Sequence, residues 1–278
     1  MTATALQATP EGWRTAALLD GLGLGVFMVS AACFATLLEW PGSPLRAGLE
    51  PPLLRRLLMG FAMGLTAVAL IYSPLGKRSG AHLNPATTVT FWRLGRVAPR
   101  QAVGYVLAQF AGGAAGLALA ALLLGPRIAA PEVHFVATVP GAFGHGFAFV
   151  AELAMTFVLM SIVLRTSQSR RWNRWTGVVA GSLVALYITV EAPISGMSLN
   201  PARTFASALL ARDFTGLWIY FMAPLCGMLL AAEWFVRLRG EGAVRCAKLH
   251  HDNPYRCTFR CRWGCPGNAG GRAASKGT

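Results

Sequence analysis

The chain is 278 residues long, 54% hydrophobic and only 13% charged, with a mean hydropathy of +0.49. These values exclude an ordinary soluble domain, because several runs approach or exceed the ~18 apolar residues that mark a membrane span. The net charge of +14 is concentrated in a few connections and in the C-terminal tail. This distribution indicates membrane topology, so we expect a lipid bilayer and no nucleic acid as partner.

Six apolar runs of spanning length follow one another, separated by connections rich in Pro, Gly or Arg. They predict an all-α membrane protein with six transmembrane helices. The predicted spans are 16–38, 53–75, 101–124, 143–164, 176–190 and 217–236. Residues 1–14 lack the basic-then-apolar order of a secretory signal, so we expect the chain to begin in the cytosol.

One phrase, Ser-Gly-x-x-Leu-Asn-Pro-Ala, occurs twice, at 79–86 and at 195–202. Each copy predicts a helix start, with Asn at the N-cap and Pro at the first helical position. The apolar run behind each start is only about ten residues, or ~15 Å, half of a ~30 Å hydrocarbon core. We therefore predict two re-entrant half-helices. Their starts are Asn84, Pro85 and Ala86, and Asn200, Pro201 and Ala202.

The two halves of the chain match in more than this phrase. Each half has small residues four apart in its second span, Gly60 and Gly64 or Gly177 and Gly181, which let helix backbones approach closely. Three spans and a half-helix make an odd-numbered unit, so the second copy must be inverted. The predicted segments are an N-terminal segment 1–14, a first repeat 15–125, a central loop 126–142, a second repeat 143–238 and a tail 239–278.

Basic residues lie mainly on the side of the predicted bundle that carries the N-terminus. They include Lys77, Arg78, the connection 165–175 and the tail. By the positive-inside rule this side is the cytosol. We expect a multi-pass protein of the cell membrane, inner or plasma, with both termini in the cytosol.

Two half-helices entering from opposite faces meet with their N-termini at the bilayer midplane. Their positive dipole ends then face a common lumen and oppose hydronium and metal cations. The amides of Asn84 and Asn200 can orient a passing water so that a proton-conducting chain is broken, and Arg203 adds a fixed charge. These features predict a pore for small uncharged polar molecules and no enzyme, since no nucleophile–base pair or metal ligand set shows at membrane depth. An ion-coupled secondary transporter is the rival with the same construction.

The two motifs, SGAHLNPA and SGMSLNPAR, resemble the signature motifs of aquaporins, the major intrinsic protein family. The resemblance extends over roughly residues 15–240 and implies a right-handed bundle that forms a homotetramer. It also implies a narrow filter of four side chains, which are Met63, Ile188, Met197 and Arg203. Asp20 and Glu152 match the buried acids with which the family supports its re-entrant loops. His82 is expected to brace the first of these loops, since a neutral His is often a hydrogen-bonded strut.

The substrate is predicted from the filter positions. Water-selective members of the family usually carry His where this chain has Ile188, and Ile provides no hydrogen-bond donor. Thr204 and Ala208 stand where glycerol facilitators carry Asp and a basic residue. We therefore expect water together with small neutral solutes, with a metalloid (arsenite or boric acid) or glycerol facilitator as the alternative.

The tail is not explained by the resemblance. From Arg237 onward the chain has nine basic and two acidic residues, a net charge of +7. It also carries a set of soft ligands, which are Cys246, His250, His251, Cys257, Cys261 and Cys265. We expect no cofactor and a flexible basic tail near anionic lipid, with 264–278 disordered. Because cytosolic thiols are seldom disulfides, the alternative is that these residues bind zinc or another thiophilic metal.

Overall fold

The computed structural model describes residues 10–251 and 253–263. Within these residues the chain is helical, with ten α-helices joined by short loops and 3₁₀ turns. They are α1 Pro10–Glu39, α2 Pro44–Gly48, α3 Pro52–Tyr72, α4 Pro74–Ser79, α5 Pro85–Arg93, α6 Pro99–Leu124, α7 Gly144–Ser167, α8 Thr176–Ser195, α9 Pro201–Ala211 and α10 Leu217–Arg239. Six of these helices are long and apolar enough to cross a membrane. The predicted all-α membrane fold is confirmed.

The short helices α5 and α9 have 9 and 11 residues and begin directly after the two Asn residues. At ~1.5 Å per residue each is about half the thickness of a hydrocarbon core. The segments that lead to them, α4 and α8, both end at a Gly in the left-handed conformation, with φ of +97° at Gly80 and +77° at Gly196. The chain therefore enters the bundle, turns, and leaves by the face from which it came.

The spanning helices pack in pairs: α1 with α6 in the first half, α7 with α10 in the second, and α3 with α8 between the halves. A Cβ atom at Gly64 would lie 2.6 Å from the carbonyl oxygen of Gly181, and one at Gly181 would lie 2.6 Å from that of Gly64. A Cβ atom at Gly112 would lie 2.0 Å from the carbonyl oxygen of Gly21. These contacts require glycine, because any side chain would push the two backbones apart.

Large apolar side chains cover the outside of the bundle. Leu18 is 69% exposed, Leu122 82% and Val190 64%. A soluble protein rarely exposes so many such side chains on one surface, whereas a lipid-facing surface consists of them. The outer surface is therefore suited to a bilayer.

The bundle has two ends, which we call the tail face and the open face. The tail face carries the first turn of α1, the connection 168–175 and the tail segment 240–263, whereas the open face carries residues 40–51 and 125–143. The open-face connection packs on the end of α8, since the Gly141 amide donates to the Ile194 carbonyl over 2.9 Å.

Two helix boundaries differ from the prediction. The first helix begins at Pro10 and not at residue 16, because Pro is well suited to the first turn of a helix. The fifth span continues to Ser195 with Pro193 inside its last turns, although it was predicted to end at 190. The extension places Glu191 inside a helix, where it is 8% exposed. Glu191 is thus a third buried acid in the spanning helices, beside Asp20 and Glu152.

Candidate functional site

Asn84 and Asn200 each cap their own half-helix and bind the loop of the other. The Oδ1 atom of Asn84 accepts from the Ala86 amide over 2.8 Å, and that of Asn200 accepts from the Ala202 amide over 3.1 Å. The Nδ2 atom of Asn84 donates to the Leu199 carbonyl over 2.8 Å. The Nδ2 atom of Asn200 donates to the Leu83 carbonyl over 2.7 Å. This reciprocal pair of bonds brings the two half-helix N-termini together.

Asp20 on α1 is fully buried and accepts four hydrogen bonds at the first loop. Its Oδ1 atom accepts from the Ser79 hydroxyl over 2.8 Å and from the His82 amide over 3.0 Å. Its Oδ2 atom accepts from the Leu83 amide and from Nε2 of Gln109, both over 2.8 Å. Donors of this kind keep a buried carboxylate satisfied and fix the loop backbone.

Glu152 on α7 does the same for the second loop and is also fully buried. Its Oε1 atom accepts from the Ser195 hydroxyl over 2.9 Å and from the Ser198 amide over 2.6 Å. Its Oε2 atom accepts from the Leu199 amide over 2.8 Å. The Ser195 hydroxyl is also 2.8 Å from Oε2 of Glu191, the acid that the sequence analysis placed outside the span.

Two tyrosines fasten the starts of the loops. The hydroxyl of Tyr105 donates to the Ser79 carbonyl over 2.7 Å, and the hydroxyl of Tyr220 donates to the Ser195 carbonyl over 2.6 Å. The loops themselves contain left-handed non-glycine residues, which are Ala81, Leu83, Met197 and Leu199. Such conformations cost free energy and persist only where surrounding contacts hold them, as the acids and tyrosines do here.

A cavity of about 380 Å³ runs through the bundle between the two repeats. Its wall includes Asn84 and Asn200 together with the four predicted filter residues, which are Met63, Ile188, Met197 and Arg203. Nη1 of Arg203 is buried and has no hydrogen-bond partner among the described residues. A buried guanidinium nitrogen without a protein partner is available to donate to whatever occupies the cavity.

The geometry sets what the cavity can do. Each Asn side-chain amide uses one N–H for the opposite loop, so its second N–H remains for the cavity contents. The positive ends of α5 and α9 point to the same place, which favours oxygen atoms and disfavours cations. The rest of the wall is mostly apolar and holds few groups at which a polar molecule would stop.

His82 lies between the first loop and the tail. Its Nε2 atom is 2.9 Å from the Ala247 carbonyl, which can only accept, so Nε2 carries the hydrogen. Its Nδ1 atom then accepts from the Thr88 hydroxyl over 3.0 Å. The structure thus places this ring against the half-helix, as expected of a brace, and also against a segment that the sequence analysis did not connect with it.

The structure brings only part of the predicted metal ligands together. The Sγ atoms of Cys246 and Cys261 and a ring nitrogen of His251 lie within 4.8 Å of one another. Cys257 is adjacent, with its Sγ atom 3.4 Å from that of Cys246. His250 instead packs edge-on against Tyr72 at 4.9 Å. Cys265 lies outside the described residues.

Several site residues were missed by the sequence analysis. Gln109 donates to Asp20, Glu191 accepts from the Ser195 hydroxyl that Glu152 also contacts, and Tyr105 and Tyr220 hold the loop carbonyls. The two tyrosines did carry a signal, because each lies in the third span of its repeat at a similar distance from its Asn. A polar residue such as Gln109 within an apolar span is also a signal, since such residues are seldom placed at membrane depth without a partner.

Residues 21–235 match the sequence profile of the family described as "Major intrinsic protein". The chain belongs to this family. The membership confirms the resemblance seen in the motifs, and the family consists of channels and not of enzymes.

Relatives in the major intrinsic protein family come from plants and archaea. "Aquaporin NIP1-4" of Oryza sativa subsp. japonica is 35% identical over 65% of this chain and 65% of its own length. "Probable aquaporin AqpM" of Archaeoglobus fulgidus is 39% identical over 63% of this chain and 73% of its own length. The match to the rice protein covers less than two thirds of that relative.

A solved structure shares the fold. The "aquaglyceroporin from Plasmodium falciparum" superimposes with a TM-score of 0.67 over 83% of this chain and 98% of its own, at 19% sequence identity. At this identity the likeness concerns the fold alone.

Proposed function

We propose that the protein is a passive channel for water and small uncharged solutes. The observation that carries this proposal is the reciprocal bonding of Asn84 and Asn200 across the meeting point of two half-helices, inside a cavity of about 380 Å³. Irregular backbone at membrane depth is tolerated where it lines a water-filled cavity. Membership of a channel family supports the same function.

Exclusion of protons and ions follows from three features acting together. The N-termini of α5 and α9 present positive potential at the midplane, which raises the energy of a cation there. The second N–H groups of Asn84 and Asn200 orient a water oxygen toward themselves, so its hydrogens point away and the proton chain is interrupted. Arg203 supplies a desolvated positive charge in the same lumen.

The orientation proposed is tail face to the cytosol. The loops at this face are strongly basic, with Lys77 and Arg78 near the end of α4 and three arginines between α7 and α8, Arg170, Arg171 and Arg174. The positive-inside rule places such loops in the cytosol. We propose the cell membrane, inner or plasma, as the location, and a homotetramer as the assembly that the family resemblance implies.

The filter supports neutral solutes larger than water as a second candidate. Met63, Ile188 and Met197 are apolar, so Arg203 is the one charged residue among the four filter positions. An apolar opening with a single donor group suits arsenite, boric acid or glycerol better than a filter with two donors would.

Parallel flux measurements on one preparation test the proposal. Proteoliposomes are mixed with osmolytes in a stopped-flow instrument, and water, glycerol, boric acid and arsenite permeation are measured with and without proton or sodium gradients. We expect faster permeation than in empty liposomes, with no dependence on the gradients. Dependence on a gradient would instead indicate an ion-coupled transporter.

A substitution at the filter separates the two solute classes. Ile188→His adds a polar ring to the opening, so we expect glycerol permeation to fall more than water permeation. Ile188→Leu is the matched control and preserves both. Equal loss of both permeabilities in Ile188→His would show that residue 188 does not select between them.

A further inference from the structure

The tail segment 244–261 is folded against the bundle. Val244, Cys246, Ala247, Leu249 and Cys257 are each at most 5% exposed. A flexible basic tail near lipid would keep such residues in water, so this burial favours an ordered segment. The flexible tail expected from the sequence therefore does not describe these residues, and residues 264–278 lie outside the described part of the chain.

The segment docks on the first re-entrant loop. The Leu249 amide donates to the Gly80 carbonyl over 3.1 Å, and Phe259 stacks on His82 with ring centroids 5.0 Å apart. Leu249 is also part of the cavity wall, near Ile71 and Ala180. The tail thus forms part of the mouth of the cavity at the tail face.

Thiols converge at the centre of this segment. The Sγ atoms of Cys246 and Cys257 are 3.4 Å apart, and those of Cys246 and Cys261 lie within 4.8 Å of each other and of a His251 nitrogen. A tetrahedral zinc ion with Zn–S bonds of ~2.3 Å separates its sulfur ligands by about 3.8 Å. Cys246, His251 and Cys261 are therefore close enough together to share one ion, and Cys257 lies beside Cys246 as a fourth candidate ligand.

His251 gives an independent indication of a ligand. Both of its ring nitrogens are buried and neither has a hydrogen-bond partner among the described residues. The ring is held in place by stacking on Trp263, with centroids 4.8 Å apart. An unpartnered buried nitrogen costs free energy, and a metal ion would satisfy it.

Backbone amides and a basic side chain lie around the thiols, where they would stabilise thiolates bound to a metal ion. The amides of Lys248 and Trp263 approach Sγ of Cys246 and Sγ of Cys261 at 3.5 Å and 3.4 Å. Arg96 is buried beside the cluster and interacts electrostatically with Cys246 and Cys261. Three thiolates around a divalent ion carry a net charge of −1, which this guanidinium would balance.

We propose that Cys246, His251, Cys257 and Cys261 bind one zinc ion, or another thiophilic divalent ion, and that this site fastens the tail across the mouth of the cavity. The four ligands come from both ends of the docked segment, so one ion closes the loop 246–261 and orders the residues between. They include His250, which packs against Tyr72, and Leu249, which lies at the cavity wall. Metal binding by these residues is independent of what the cavity conducts, whereas the effect on permeation rests on the proposed channel function.

Metal content tests the site directly. The full chain is purified under reducing conditions with a tag that contains no His, and its metals are measured by inductively coupled plasma mass spectrometry. We expect about one zinc per chain, the stoichiometry of a single tetrahedral site, and loss of the metal in Cys246→Ala, Cys261→Ala and His251→Ala. Cys33→Ala and Cys226→Ala, at cysteines within the spans, are the matched controls and should retain it.

Two outcomes would overturn the metal site. One is zinc content in the wild type no higher than in Cys246→Ala after incubation with zinc chloride. The other is a Cys246–Cys257 disulfide in place of bound metal, identified by mass spectrometry after alkylation of the free thiols in protein purified without reductant. The controls exclude general misfolding as the reason for metal loss, because they also remove a buried or half-buried thiol.

Permeation measurements test whether the metal site holds the tail across the mouth of the cavity. Chelation of zinc from wild-type proteoliposomes should raise water permeation severalfold, and the zinc-free Cys246→Ala protein should already show the raised value and no response to the chelator. Unchanged permeation after complete metal removal would overturn the fastening role. If no preparation conducts water, metal-loaded or not, the proposed function fails while the measured metal content still stands.

Discussion

The two re-entrant loops, 79–86 and 195–202, have the same backbone but different supports. Left-handed residues occupy the same three positions in each, Gly80, Ala81 and Leu83 in the first and Gly196, Met197 and Leu199 in the second. The side chains that hold this backbone are not the same. The comparison shows that the same loop backbone can be held in place by different sets of side chains.

The acids illustrate the difference. Asp20 is one methylene shorter than Glu152, yet it reaches the same two successive amides and accepts one bond more, because Gln109 supplies an extra donor. Glu152 has a second acid, Glu191, on the other side of the Ser195 hydroxyl. The first loop is thus held by an acid and an amide, and the second by two acids that share one hydroxyl.

The segments that pack behind the two loops also differ. Behind the first loop lie Ala247, Leu249 and Phe259 of the tail. Behind the second lies the open-face connection, where a Cβ atom at Gly196 would come within 2.9 Å of the Val139 carbonyl oxygen. One loop is therefore secured by the end of the chain and the other by its middle.

Removal of an acid gives the largest expected effect. Glu152→Ala leaves the buried amides of Ser198 and Leu199 without their acceptor, at about 1–3 kcal/mol each, so we expect loss of permeation and a lower thermal unfolding temperature in detergent. Glu233→Ala is the control, because its ion pair with Arg93 is exposed and worth little. A Glu152→Ala protein as stable as this control would show that the acid does not support the loop.

Replacement of the Asn residues comes next. Asn84→Ala and Asn200→Ala each remove a helix cap and one bond to the opposite loop, for a destabilisation of about 2 kcal/mol. Since the bonds are reciprocal, we expect the two variants to lose similar stability in the same unfolding assay. Asn84→Ser restores a cap but cannot reach Leu199, so it should recover only part of the loss. Full recovery would assign the whole effect to capping.

The tyrosines give a smaller effect. Tyr105→Phe and Tyr220→Phe each remove one hydrogen bond to a loop carbonyl and keep the ring, for about 1 kcal/mol. The comparison predicts nearly equal shifts in unfolding temperature. A shift in only one of the two variants would show that the loops differ in more than their acids.

Gln109→Leu gives the smallest effect and tests the asymmetry. The substitution removes the Nε2 donor to Asp20 and to the Thr88 hydroxyl, but it also removes Oε1 of Gln109, which is buried without a partner among the described residues. The two contributions oppose each other, so we expect a net change below about 1 kcal/mol. A loss as large as that of Glu152→Ala would mean that Asp20 depends on Gln109 for its role.

Much of the bundle was predictable because its signals are local. The Asn-Pro starts of α5 and α9 and the apolar length of the six spans determine the architecture without tertiary information. The end of α8 was not predictable in this way, since Glu191 and Pro193 both argue against a helix that packing nevertheless extends to Ser195.

The contacts between distant parts of the chain were harder to predict from the sequence. Side chains at the cavity wall such as Met63 and Ile188 were assigned from the family resemblance, and nothing in this sequence alone distinguishes them from core residues. The docking of Phe259 on His82 depends on where a connection of irregular structure returns, and no periodicity specifies that path. The Cys and His residues of the tail indicated metal binding as an alternative. Only the folded structure shows that His250 packs against Tyr72 and lies outside the cluster.

The crossed bonds between each Asn and the loop of the other repeat have a consequence for synthesis of the protein. Because both halves contribute to the wall of the cavity and each holds the other's turn in place, a nascent chain with only its first half in the bilayer has no conduit. We expect the cavity to form only when the second half docks, so that a partly inserted chain leaves the membrane sealed.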